Sequence, residues 1–244
     1  MSRSSLAKLA DALRAQLAGE AAAWLHEALD AVGADPTAIR SRFPAVGRKV
    51  GRAPLAGGPG GDQAPWTADE AARALLLAGL GTGVVDELAE LYHHGDGAER
   101  RAILRALDLL PVDDRALALV LDALRTNDDR LVAAAMGSYA TERLPEAAFR
   151  HAVLKFVFMG LPLAAIPGLE ARADAALARM LAAYAHERVA AGRDVPADLW
   201  PLIERFPPEA ELAAIADEVH GDAGPRRQAA VTALAEREAS RQGS

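Results

Sequence analysis

Five basic residues, Arg40, Arg42, Arg48, Lys49 and Arg52, fall within thirteen positions, and no acid occurs between Arg40 and Leu55. Glycines at 47 and 51 lie among them. Arginine forks pair with phosphate or carboxylate, and glycine lets backbone N–H groups come close to an anion. Arg42, Arg48 and Arg52 are therefore candidate anion ligands. The bland alternative is a loop whose arginines pair with acids on neighbouring helices. The run is not a phosphate-cradling P-loop, because Lys49 is followed by Val50 rather than Ser or Thr.

Lys155 is the second candidate. It is one of only three lysines and sits in Val153-Leu154-Lys155-Phe156-Val157-Phe158, the most apolar stretch of the chain. A lysine there snorkels to the surface, pairs with a buried acid, or projects into a polar pocket where it could hold a phosphate or form a Schiff base. The third candidate is Tyr184-Ala185-His186-Glu187-Arg188 with Arg193. Leu177, Met180, Leu181 and Tyr184 define one helical face, and Arg188 continues it by four residues. An arginine on a core-facing position needs a partner, and Asp174 and Glu187 are the local options. Two readings stay open: a structural ion pair, or a pocket lined by Tyr184, Glu187 and Arg188 with His186 at its rim.

Other chemistry finds little support. His93-His94 would point about 100° apart on a helix, and no HExxH or carboxylate cluster accompanies them, so no metal is expected. No nucleophile elbow, dinucleotide fingerprint or kinase signature occurs, so neither catalytic residues nor a cofactor are assigned. The chain has no cysteine, which removes disulfide and thiol chemistry.

The elements that must position these residues are helices. Hydrophobic residues make up 51% of the chain but aromatics only 5%, so the apolar content is mostly Ala, Leu and Val. Ala and Leu are strong helix formers. No alternating apolar–polar stretch makes a convincing strand. From the capping box at Thr67-Ala68-Asp69-Glu70, helix starts recur near Ala68, Val84, Gly97, Asp114, Asp128 and Glu146. This rhythm predicts an all-α fold of stacked helix hairpins, either a HEAT/armadillo-like α-solenoid or an irregular helical bundle. It divides the chain into N-terminal helices (1–43), a Gly/Pro-rich basic loop (44–66) whose part from Ala56 to Ala64 looks flexible, a helical-repeat core (67–206) and a C-terminal helical pair (207–244). Phe43-Pro44 is read as a helix end, and Glu146 to Met159, apolar nearly all round, as a central helix.

The net charge of −7 argues against nucleic-acid binding, which needs a basic surface. No stretch of eighteen residues is free of charge, so no integral membrane segment is expected. No leader-like N-terminal pattern appears either, which gives a cytoplasmic expectation.

Taken together, three segments resemble the EboA family. They are Leu124-Arg125-Thr126-Asn127-Asp128, the run from Val153 through Phe158-Met159-Gly160-Leu161-Pro162-Leu163, and Ala185-His186-Glu187-Arg188-Val189-Ala190-Ala191-Gly192-Arg193. The basic loop ending Gly51-Arg52-Ala53-Pro54-Leu55 is similar to one branch of that family. The resemblance spans about residues 20 to 205. It implies a role in making or handling a polar, phosphorylated or cyclitol-like secondary metabolite, with other proteins of the same pathway as partners. It carries over no catalytic residue. Two functions follow: a non-enzymatic accessory protein that binds a partner enzyme or an anionic intermediate, or an enzyme acting on a phosphorylated sugar- or cyclitol-like molecule.

Overall fold

The computed structural model describes residues 2–57 and 65–243. The fold is all-α, and the described residues contain no strand beyond one isolated bridge between Pro54 and Thr67. Most of the stretch from Ala56 to Ala64 lies outside the described residues. The chain divides into two compact units: Met1–Leu144 with Ala165–Pro167, and Pro145–Ala164 with Gly168–Ser244. The division falls inside the 67–206 segment that the helical rhythm groups together.

The first unit contains α1 (Ser2–Gln16), α2 (Gly19–Ala34), α3 (Ile39–Lys49), α4 (Ala68–Gly79), α5 (Val84–His94), α6 (Gly97–Ala106), α7 (Leu117–Ala123), α8 (Asp129–Ala135) and α9 (Ser138–Arg143). Helices α2, α4, α6 and α8 pack in succession, and α1 and α3 also lie against α4. The stripe Ile103, Leu104, Leu107 and Leu110 is buried as its spacing requires. Acidic caps set several starts. Asp96 accepts the Glu99 N–H at 2.8 Å while Glu99 accepts the Asp96 N–H at 3.1 Å. Asp128 accepts from Arg130 and Leu131 at the start of α8.

Helix α3 does not end at Pro44, as the sequence suggests, but runs through it to Lys49. Proline removes one backbone bond, the one that would reach the Arg40 carbonyl. Phe43 and Val46 on either side are fully buried, and their packing holds the segment helical. The irregular stretch therefore starts at Val50. Its two ends are tied by backbone bonds from Leu55 N–H to Trp66 C=O (2.7 Å) and from Ala68 N–H to Ala53 C=O (2.9 Å).

The second unit contains α10 (Glu146–Phe158), α11 (Leu169–Arg172), α12 (Ala175–Ala190), α13 (Trp200–Arg205), α14 (Glu209–Asp217) and α15 (Pro225–Gly243). Helix α12 packs against α10, α13, α14 and α15. It begins at Asp174, which accepts the Leu177 N–H at 2.8 Å. It ends in a left-handed Gly192 (φ +66°), with the Arg193 N–H returned to the Arg188 carbonyl. Helix α10 buries Phe149, Ala152, Val153, Phe156 and Val157 but exposes Phe158 by 61%, so it is one-faced rather than apolar-buried all round.

Candidate functional site

The last turn of α3 and the residues after it carry the exposed cations. Arg48 and Lys49 stand at the helix C-terminus, where positive charge offsets the carbonyl end of the macrodipole. Both are exposed, and among the described residues neither has a carboxylate within 4.0 Å. Gly51, at φ +83°, turns the chain, and Arg52 follows. Arg52 is 62% exposed and touches acids only distantly: Asp69 and Asp96 each lie 3.9 Å away. Gly47 makes room for it, since a Cβ there would sit 3.3 Å from Arg52 Nε and 3.4 Å from Arg73 Nη2.

Beneath this surface lies a network of buried charge. Asp69, Glu70 and Arg73 are each 1% exposed and Glu99 8%. Arg73 donates to Asp69 at 2.6 Å and to the Phe43 carbonyl at 3.3 Å, and its Nη2 is 3.7 Å from Glu99. The guanidinium also lies over the Phe43 ring. Glu70 accepts from Arg101 at 2.5 Å, Arg105 at 2.8 Å and the Thr67 N–H at 3.0 Å. Burial pulls the Arg105 guanidinium below its usual range, against the pull of Glu70, and its plane covers Trp66 at 4.2 Å. Desolvating so many charges gains little net stability. What the network does is fix α3, α4 and α6 in one register below the cationic end of α3.

A cleft of about 250 Å³ opens on another side of α3. Phe43, Pro44 and Leu91 form its apolar wall, and Arg40, Glu90, His94 and Glu99 its polar one. Arg40 is bound at two points to Glu87, at 2.8 and 3.0 Å.

The sequence candidates separate on this geometry. Arg48, Lys49 and Arg52 stand within five residues at and just after the end of α3. Arg42 does not join them; it pairs with Glu27 of α2 at 2.8 Å. Lys155, Tyr184, His186, Glu187, Arg188 and Arg193 belong to the second unit. Lys155 is half-buried in the last turn of α10. Tyr184 is buried with its ring edge-on to Phe158 at 4.7 Å. Arg188 takes neither expected partner: its Nε donates to the Asp194 carbonyl at 2.9 Å. Asp174 caps the far end of α12, about 20 Å away at 1.5 Å per residue, and binds Arg150 instead. Glu187 and Arg193 are exposed, and His186 meets Glu218 at 3.2 Å. At 100° per residue Tyr184, Glu187 and Arg188 fall within about 100° of the α12 circumference, with His186 on the opposite side, and of the three only Tyr184 is buried.

Sequence reading passed over Arg73 and Glu99. The signal was present: Arg73 stands four residues after Asp69 inside an Ala/Leu-rich helix, where an unpaired charge would be untenable.

The family described as "Metabolite traffic protein EboA" matches residues 6–204. The chain belongs to the EboA family. The matched span takes in the α3 end, the buried network and α12. No curated protein and no solved structure matches the chain. Among the described residues, no helix is long and apolar enough to cross a membrane, and no group of three His, Asp or Glu is placed to hold a metal ion.

Proposed function

We propose that this chain is a non-enzymatic accessory protein of a secondary-metabolite pathway, and that it takes hold of an anionic group of the metabolite at the end of α3. The family's description as a metabolite traffic protein supports a handling role. The observation that carries the anion reading is a cluster of cations without close carboxylates. Lys8, Arg100, Arg125 and Arg130 of the first unit also have no carboxylate within 4.0 Å among the described residues, but only at the α3 end do three such cations fall within five residues, while many arginines of the unit are paired. Arg40, Arg42, Arg73, Arg101, Arg105, Arg115 and Arg143 each have a carboxylate oxygen within 2.8 Å. Arg48, Lys49 and Arg52 do not; three cations within five residues keep their N–H groups available. Such a group suits phosphate, pyrophosphate or carboxylate. Other proteins of the same pathway are the proposed partners, delivering or receiving the bound molecule.

Thermal shift with inorganic phosphate, pyrophosphate and glycerol phosphate tests the reading. A ligand that binds only the native state stabilises it by about 2.7 kcal/mol at a hundred times its Kd. Pyrophosphate is expected to raise the Tm of the native chain and to leave Arg48→Ala/Arg52→Ala unmoved. Exposed side chains with such distant partners leave the variant's unliganded stability within about 0.5 kcal/mol of wild type. No shift with any of the three, or an equal shift in the variant, overturns the assignment.

A further inference from the structure

Helix α15 is attached to the second unit in an unusual way. Its buried apolar side chains are Ala229, Ala230 and Ala233, the smallest available, while Val231 is 45% exposed. Little apolar area is therefore removed from water by a helix of nineteen residues. Its named polar attachments are ion pairs. Arg237 and Arg241 reach Glu204 of α13 at 2.5 and 3.5 Å. Arg226 pairs with Glu218, which also meets His186 of α12. On α15 itself, Glu236 has a buried Oε2 with no hydrogen-bond partner among the described residues, which weakens the docked state. Helix α15 also lies beyond residue 204, where the family match ends.

Glu204 has a second role. With Glu170, Pro201, Leu202 and Arg205 it lines a cleft of about 350 Å³. Arg205 is tied to the Glu170 carbonyl. Arg237 and Arg241 thus neutralise an acid that belongs to a cleft wall.

We infer that α15 is a releasable strap which, when docked, masks the Glu204 carboxylate of this cleft. Arg226 and Arg241 are more than half exposed, so their pairs are weak and screened by salt, whereas Arg237–Glu204 is part-buried and is the stronger tie. Alanine-sized packing adds little, so α15 opens as a unit while α12 stays folded. Opening turns the cleft from charge-balanced to acidic, which suits a ligand carrying an ammonium or guanidinium group. The hinge is at hand: Gly221-Asp222-Ala223-Gly224 joins the turn holding Glu218 to α15. This inference does not depend on the anion site of α3.

Hydrogen exchange read by mass spectrometry on the full chain tests it, in 0.05 M and 0.5 M NaCl. Peptides from α15 are expected to exchange at least about 100-fold faster than those from α12, as a sub-global unit does. Higher salt is expected to speed α15 exchange by about fivefold, the worth of one exposed ion pair, and Glu204→Gln by at least as much, because it also unpairs the part-buried Arg237, with α12 unchanged. Unchanged α12 protection also shows that the variant is folded, and the salt series on the native chain needs no variant. Equal protection of α15 and α12, or α15 exchange indifferent to both salt and Glu204→Gln, refutes the strap.

Discussion

Arg73→Ala is expected to lower unfolding free energy by about 3–5 kcal/mol, the cost of leaving a buried charge without its partner. The cation at 73 answers Asp69 at 2.6 Å, and both side chains are 1% exposed. Without it, among the described residues Asp69 keeps only the Thr67 hydroxyl and the distant Arg52, and Glu99 loses its nearest cation. Urea denaturation should show a lower midpoint at unchanged slope. Arg73→Met restores volume but not charge, so it should lose nearly as much. Arg73→Met/Asp69→Ala should recover part of the loss, because removing both charges also removes the desolvation problem. A single variant within 1 kcal/mol of wild type would mean that the network is solvated.

The second large effect centres on Asp108, in the turn after α6. Its carboxylate accepts the N–H groups of Ser138 and Tyr139 at 3.0 and 2.7 Å, closing the start of α9. Asp108→Ala is expected to cost about 1–3 kcal/mol for each amide left without an acceptor. Gly137→Ala should do comparable damage by another route. A Cβ at 137 would stand 2.6 Å from Asp108 Oδ2 and drive the carboxylate off both amides. The two changes act through one contact, so the double variant should fall well short of their sum. Full additivity would show that the contact is not shared.

Asp108 also makes stability depend on pH. Burial raises its pKa above the ordinary 3.8, more than its two amide bonds lower it. The folded state therefore holds the proton at pH values where the unfolded chain has released it. The resulting contribution is full below 3.8 and is lost as pH rises through the folded-state value. Asp108→Asn should remove that slope. It should still be less stable than wild type, since an amide NH₂ faces one of the donors that the carboxylate accepted.

Much of this was legible because helix starts are local chemistry. Asp96, Asp128 and Asp174 cap by side chains that reach only two or three residues, and Glu70 reaches back three to accept the Thr67 N–H, so sequence spacing gives the helix starts directly. Pro44 misled because its effect is decided by burial of Phe43 and Val46 against other helices, which spacing does not encode. The closeness of Arg48, Lys49 and Arg52 is a matter of chain order, which spacing gives without any tertiary information. Arg42 and Arg188 were misassigned because their partners, Glu27 and the Asp194 carbonyl, are chosen by tertiary packing and by a helix C-cap. The Arg73 network combines both cases. Its Asp69 contact is helical and local, whereas Glu99 reaches it only because α4 and α6 are neighbours.

The paired amides at Leu55 and Ala68 have a practical corollary for protein engineering. Because the segments 53–55 and 66–68 are bonded to each other there, whatever sequence spans positions 56 to 65 enters and leaves through one fixed doorway. Doubling such an insert costs only about 0.6 kcal/mol of closure entropy. That makes the span a natural port for an epitope, a fluorophore-bearing cysteine in an otherwise thiol-free chain, or a surface tether, with the neighbouring helices left undisturbed.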